Sequence, residues 1–243
     1  MISVTVLAKN GASTLKKTLQ ALESFDEVLL YDTGSTDNTK EIALSFPNVT
    51  LKEGPFEGFG PSHNQATALA KHDWILSVDT DEVLTKELQE EIQSLVLKRQ
   101  TVYSISRNNF LNGKRIRFSG WSPDRIFRLY NRKDTSFTNV QVHERVETKG
   151  LTIVPLKHPL LHYSYSSVED FLKKMQLYTS LFAEEKKGQK KVTRVTAITH
   201  GFFAFFKTYF LQLGILDGFE GFFIALYNGN TAFYKYLKLY EKQ

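Results

Sequence analysis

His72-Asp73-Trp74-Ile75-Leu76-Ser77-Val78-Asp79-Thr80-Asp81-Glu82 is the stretch on which the reading of the fold turns. Trp74 to Val78 is an apolar run of strand character, and it stops abruptly in acids. Carboxylates two residues apart on an extended chain point the same way, so Asp79 and Asp81 are expected to reach one ligand. At the carboxyl end of a strand, such a pair suits a divalent cation bridging two phosphates, because hard cations take oxygen ligands. A solvated acidic turn capping the next helix would account for the same spacing.

The segments before this stretch have the same rhythm. Ile2 to Leu7 is a β-branched run followed by the turn and cap residues Asn10-Gly11-Ala12-Ser13, then Leu15, Leu19 and Leu22 at helical spacing. Val28 to Tyr31 ends at Asp32-Thr33-Gly34-Ser35, with a short helix after it. Val49 to Leu51 is a third strand, and Ser62–Lys71 and Lys86–Lys98 read as helices. Strand and helix alternating through short links predict a parallel α/β sheet covered on both faces. Ligands bind such sheets at the carboxyl ends of the strands, so Lys9-Asn10, Asp32-Thr33 and Asp79-Thr80-Asp81 become the residues of interest. Asp32 alone suits an Asx-turn. Beside Asp79 it gains the reading of a carboxylate that accepts from a base or a ribose.

Further along, Val102–Leu111, Arg115–Phe118, Ile126–Tyr130 and Val140–Val146 read as strands separated by turns. Ser166 to about Lys187 reads as an amphipathic helix, and Gly188 to Lys191 as a link. Three regions are expected: 1–100, 101–187 and an aromatic, basic tail over 188–243. The chain lacks cysteine, which excludes a disulfide framework, a zinc finger and a thiol nucleophile. Neither GxGxxG nor GxxxxGK[ST] occurs, which argues against a dinucleotide oxidoreductase and a P-loop NTPase. A metal-bridged nucleotide diphosphate remains.

Together, TVLAKNGASTL, YDTGSTDNT and HDWILSVDTDE resemble the motifs of family 2 glycosyltransferases, in order and at suitable spacing. WSPDRIFRLY, VQVHERVE, LLHYSY and the ending from Tyr209 to Glu241 are similar to the branch holding lipopolysaccharide inner-core β-glucosyltransferases of the WaaE type. The resemblance implies a GT-A fold, a Rossmann-like nucleotide-binding sheet with an acceptor-side β region, here followed by a C-terminal amphipathic helical segment. It implies a UDP-hexose donor, UDP-glucose foremost, a divalent Mg²⁺ or Mn²⁺, and a lipid-linked core saccharide as acceptor. By the same resemblance Asp32 would hold the nucleobase, Asp79 the ribose and Asp81 the metal. Ala8, Asn10 and Thr80 fall within the donor-side motifs. Asn64 and Lys71 are weaker nucleotide-side candidates, His162 would complete the metal ligation, and Glu144 would be the base of an inverting transfer. The plainer role for Glu144 is a surface ion pair with Arg145 or Arg128, and for His162 a structural one.

Trp121 suits an acceptor loop, because an indole face stacks on a sugar ring, and Arg125 or Arg128 can pair with phosphate. Core packing is the plainer role for Trp121. Two other classes stay open. Val78-Asp79-Thr80-Asp81-Glu82-Val83 also resembles the nucleophile motif of haloacid-dehalogenase-type phosphatases, although those carry it on the first strand. A non-catalytic membrane-surface protein is the other.

Charge and aromatics are concentrated in the tail. Residues 171–243 hold 11 Lys+Arg against 5 Asp+Glu, whereas residues 1–170 hold 20 against 21. Of the 32 aromatics, 14 lie in residues 200–243. Lys186, Lys187, Lys190, Lys191 and Arg194 precede Phe202, Phe206 and Phe210, and then Phe219, Phe222, Phe223 and Leu226. Such a segment is expected to lie on an anionic membrane surface without spanning it. The basic cluster is not interleaved with aromatics, so nucleic acid is not expected as a partner. Met1 to Leu7 lacks the features of a signal peptide. A cytoplasmic protein, peripheral on the inner face of the cytoplasmic membrane, is the expectation.

Overall fold

Four parallel strands carry the first part of the chain: β1 (Ile2–Ala8), β2 (Glu27–Asp32), β3 (Val49–Glu53) and β4 (Trp74–Asp79), in the spatial order β3-β2-β1-β4. In this computed structural model, residues 1–139, 144–165 and 168–243 are described. Two compact units emerge: Met1–Arg107 with Asp124–His162, and Asn108–Pro123 with Tyr163–Gln243.

In the first unit, every residue of β2 is buried, and the pleat divides them between two faces. Val28 and Leu30 pack with Leu15 and Leu19 of α1 (Ala12–Gln20) and Ala43 of α2 (Thr39–Leu44). Leu29 and Tyr31 pack with Ala66 of α3 (Phe59–Leu69). Emptying one of these sites, as in Leu19→Ala, typically costs about 2–5 kcal/mol. The chain winds outward from β1 to β2 and β3, then returns to the other side of β1 for β4. The carboxyl end of β1 is therefore the switch point, with Ala8 opposite Asp32 and Leu7 opposite Asp79.

After β4 the expected direct entry into a helix is replaced by a turn and a short strand, β5 (Glu82–Leu84). The reason is Glu82, which is fully buried and bound there by charge. Thr85 then caps α4 (Lys86–Ser94), its Oγ1 accepting from the Leu88 amide at 3.2 Å. β8 (Arg125–Asn131) extends the sheet antiparallel beside β4, and β6 (Thr101–Leu111) follows antiparallel to β8. β9 (Thr152–Pro155) and β10 (Leu160–Tyr165) lie where no strand is expected from the sequence, and β10 pairs Leu160–His162 with Glu82–Leu84. Of the expected strand Val140–Val146, residues 140–143 lie outside the described residues.

In the second unit, β7 is only Lys114–Arg115, shorter than the expected Arg115–Phe118. The Arg117 and Phe118 amides turn away to donate to the Asp217 carboxylate, each at 3.0 Å. α5 spans Val168–Lys186, and Ser166 and Ser167 of its expected start lie outside the described residues. The tail forms α6 (Arg194–Phe206), a π-turn (Lys207–Leu211), a 3₁₀ turn (Gly214–Asp217) and α7 (Phe219–Glu241). α6 and α7 meet through glycines. A Cβ at Gly201 would lie 3.2 Å from the Gly229 carbonyl and 2.9 Å from the Phe233 Cβ. The small residues thus face inward, and the large ones face out: Phe202 is 72% and Phe203 57% exposed. Among the described residues, no helix is long and apolar enough to cross a membrane.

Candidate active site

Three strand ends supply the polar residues of the first unit. Asp32, the last residue of β2, is fully buried. Its Oδ1 accepts from the Gly34 amide at 2.9 Å and the Ser35 amide at 2.8 Å, the Asx-turn geometry. Its Oδ2 is also buried and, among the described residues, has no hydrogen-bond partner. A bare carboxylate oxygen out of water is costly unless a ligand donates to it. The loop after β1 is tied to the same turn: the Asn10 amide donates to Ser35 Oγ at 2.8 Å, and Asn10 Oδ1 accepts from the Thr36 amide at 2.7 Å. Ala8 lies just before this loop, and its carbonyl accepts from the Thr33 amide at 2.9 Å.

At the end of β4, Asp79 is bonded by the Arg128 guanidinium and lies 4.0 Å from His63 Nε2. Burial works against its ionisation, but Arg128 outweighs this, with a smaller contribution from His63, and the pKa is held at about 2. The carboxylate is therefore ionised at any physiological pH. Arg128 Nη2 also donates to Glu82 Oε1 at 2.7 Å, and Glu82 Oε2 accepts from the Asp79 amide at 3.1 Å. Arg107 Nε donates to Asp124 Oδ2 at 2.8 Å, and its Nη1 lies 3.4 Å from Glu82 Oε1. Burial pushes the Glu82 carboxyl up, while Arg128 pulls it down less strongly. Asp79, Arg128, Glu82, Arg107 and Asp124 are thus one chain of alternating charge.

Thr80 and Asp81 form a turn, so the two acids are not on an extended segment as expected. Asp81 Oδ2 instead faces His162 Nε2 at 3.7 Å, because β10 pairs His162 opposite Glu82. The Thr80 carbonyl is fixed by Thr18 Oγ1 at 2.8 Å. Among the described residues, no group of three or more His, Asp or Glu is placed to hold a metal. The turn after β4 and the middle of β10 thus bring one oxygen and one nitrogen donor together, a pair of the kind that divalent ions such as Mn²⁺ accept.

His63 and Asn64 of α3 hold the segment that leads to Glu144. Asn64 Oδ1 accepts from the Phe137 amide and its Nδ2 donates to the Phe137 carbonyl, both at 3.0 Å. The His63 ring stacks on Phe137 with centroids 4.4 Å apart. Phe137 bridges to Val146, and the Thr138 amide donates to the Arg145 carbonyl at 2.9 Å, so partly buried Glu144 lies beside this paired stretch.

Several expected residues lie elsewhere. The Lys71 amide donates to Glu27, the first residue of β2, at 2.8 Å, which puts Lys71 at the amino edge of the sheet, away from the strand-end acids. Arg125 donates to the Ser104 carbonyl at 3.2 Å. Arg128, expected on the acceptor side, is instead among the strand-end acids, paired with Asp79 and Glu82. Trp121 belongs to the second unit, half-buried against Leu111, Ile116 and Phe171. The sequence reading passes over His63, Arg107 and Glu82. A third acid directly after Asp79 and Asp81 is the one visible signal for that network.

Comparisons with known proteins agree with this geometry. Residues 3–152 match the family model for glycosyl transferase family 2. An uncharacterized glycosyltransferase of Rickettsia bellii is 31% identical over 258 residues, covering 99% of this chain and 86% of that protein. The lipopolysaccharide core biosynthesis glycosyltransferase LpsC of Rhizobium meliloti is 23% identical, with 99% and 92% covered. Among solved structures, S. aureus TarS 1–349 in complex with UDP aligns at a TM-score of 0.51 and 17% identity, covering 99% of this chain and 90% of that one. The first-strand phosphatase reading gives way, since Asp79 ends the fourth strand. The chain belongs to the family 2 glycosyltransferases, has the GT-A fold, and is a glycosyltransferase.

Proposed function

We propose that this enzyme moves a hexose, glucose from UDP-glucose, onto a saccharide of a lipopolysaccharide core, with inversion and with a divalent metal. The observation that carries the donor side is the bare, buried Oδ2 of Asp32. It lies at a switch point whose second acid, Asp79, is two strands away, about 10 Å at the usual strand spacing. A nucleobase N–H donating to Asp32 and a ribose hydroxyl donating to Asp79 suit that separation. Arg128 keeps Asp79 ionised and oriented, so we assign it to the donor side. Asp81 and His162 would hold Mg²⁺ or Mn²⁺, which supplies positive charge against the departing diphosphate. LpsC, a relative by sequence, is named for lipopolysaccharide core biosynthesis, and the TarS neighbour was crystallised with UDP.

Glu144 takes the proton of an acceptor hydroxyl. That oxygen bonds to the anomeric carbon from the face opposite the diphosphate, whose bond to the carbon breaks with its electron pair. The configuration inverts without a covalent enzyme intermediate. Residues 1–100 serve the donor and 101–187 the acceptor, with Trp121 and Arg125 among the acceptor contacts. Residues 188–243 rest on an anionic membrane, on the inner face of the cytoplasmic membrane. What supports this last assignment is α6, with glycine inside and phenylalanine outside, the reverse of an ordinary surface helix.

The test is thermal unfolding with UDP, with and without Mn²⁺, followed by turnover with UDP-glucose, UDP-galactose, UDP-GlcNAc and GDP-mannose. UDP with Mn²⁺ should raise Tm, because a ligand that binds only the folded chain stabilises it. Asp81→Asn should remove the Mn²⁺-dependent part and nearly abolish transfer. Wild-type turnover by Asp81→Asn with metal present would overturn the metal assignment.

A further inference from the structure

The second unit contains a polar cleft of about 420 Å³ between the Ser119–Trp121 loop and the facing sides of α6, the π-turn and α7. Its volume lies in the roughly 300–1,000 Å³ range of small-molecule sites. The loop is held rigidly. The Asp217 carboxylate accepts from Ser119 Oγ at 2.8 Å as well as from the Arg117 and Phe118 amides. Gly120 has φ +76°, and a Cβ there would lie 2.8 Å from the Gln212 carboxamide, so loop and helix close up where only glycine fits. The π-turn, in which the Gln212 amide donates to the Lys207 carbonyl at 2.8 Å, sets Lys207 and Gln212 on the same wall. Breaks of this kind in a helix often mark functional positions.

The chemistry of the lining is one-sided. It includes Lys207 and Lys235 and contains no acid. Elsewhere in this unit Lys114 pairs with Glu220, Lys173 with Glu169 and Lys242 with Glu184. Among the described residues, neither Lys207 nor Lys235 has an acidic partner; the Lys235 ammonium lies over the rings of Phe182 and Tyr236, 4.6 and 5.4 Å from their centroids. Between these cations are neutral hydrogen-bonding groups. Asn228 Nδ2 donates to Thr208 Oγ1 at 3.1 Å, and Thr231 Oγ1 is buried with no partner among the described residues. The half-buried indole of Trp121 completes the lining. An aromatic face, amide and hydroxyl groups, and two uncompensated ammonium groups together suit a sugar ring that bears an anion.

We infer that this cleft binds a phosphate-bearing saccharide. The inference rests on the transferase reading above, which supplies the class of ligand, and its cationic contacts are Lys207 and Lys235. The chain has only two tryptophans, so a ¹⁵N-indole spectrum has two signals, which Trp74→Phe assigns. Glucose 6-phosphate should move the Trp121 signal and leave the Trp74 signal in place. Glucose and inorganic phosphate should each bind at least about tenfold more weakly, since a charge-assisted contact of this kind is worth about a factor of ten or more. The Lys207→Gln/Lys235→Gln double variant should weaken glucose 6-phosphate by a similar factor and leave Tm unchanged.

Equal affinity for inorganic phosphate would mean an anion site only and would overturn the saccharide assignment. An unaltered affinity in the double variant, or a Trp121 response to UDP matching that to the sugar phosphate, would overturn it as well. Calorimetry with UDP and Mn²⁺ on the same samples separates the two readings. UDP binding without a Trp121 response to sugar phosphate sinks the cleft alone; the reverse sinks the donor assignment and leaves the cleft.

Discussion

Asp79, Glu82 and Asp124 in the first unit are matched by Arg128 and Arg107 inside the fold, whereas Lys207 and Lys235 in the second unit face a cleft that offers them no acid. Burial accounts for the contrast. Glu82 and Arg128 lie at 0% and 6% exposure, where an unpaired charge costs several kcal/mol, roughly, so the fold itself must supply the partner. Exposed Lys207 keeps its hydration, and Lys235 lies over aromatic rings, so neither charge needs an acid from the fold. The strand-end site is consequently preset in charge and geometry before any substrate arrives. The helical unit instead presents cations and aromatic faces that the chain leaves uncovered.

The largest expected effects lie in the first unit. Glu144→Gln should lower kcat by about 10²–10⁴, the usual worth of a positioned general base, with UDP affinity by calorimetry unchanged. An equal loss of UDP affinity would move Glu144 into the nucleotide pocket. Arg128→Met strands two carboxylates and should cost about 3–5 kcal/mol in urea unfolding. Adding Glu82→Gln to it should recover part of that loss; no loss from Arg128→Met alone would break the contrast between the units.

His63 gives a pH test of the same burial. It is 2% exposed, and burial, aided by Arg128 and opposed by Asp79, lowers its pKa from 6.5 to about 4. Between those values the unfolded chain binds more protons, so stability should fall as pH drops from 6.5 towards 4. The loss is on the order of 3 kcal/mol at the lower end, from the usual conversion of pKa shifts. Asp79 acts below this window: its contribution is complete above pH 3.8 and is lost as pH falls towards 2. Urea unfolding at pH 7 and pH 4.5 should therefore show a smaller difference for His63→Gln than for the wild type.

Substitutions on the exposed aromatic face of α6 should barely affect stability. Phe202→Ser with Phe203→Ser should change it by less than about 0.5 kcal/mol per site, as expected for exposed positions. The same pair should sharply reduce flotation with anionic vesicles, and an unchanged flotation would remove the aromatic face from membrane docking.

Most of the first hundred residues were readable from pattern alone. Runs such as Val28–Tyr31 are too apolar for anything but a strand covered on both faces, and Asp32 and Asp79 mark their ends. Parallel pairing on either side of β1 then brings those acids together by register, without further information. The charge network was not readable, because Glu82 and Arg128 are 46 residues apart and meet only through β8 packing beside β4. The helical tail was readable as amphipathic and aromatic. Its orientation was not, since nothing local shows that Gly201 will find Gly229.

By itself, the sequence determined the alternation of strands and helices, the acids at the strand ends and the family, because hydrophobic period and turn chemistry act over a few residues. Tertiary structure alone decided which charges neutralise each other, which helix face meets a neighbour, and where Lys207 and Lys235 are left without an acid. Those outcomes depend on desolvation and close packing, which arise only when distant segments come into contact.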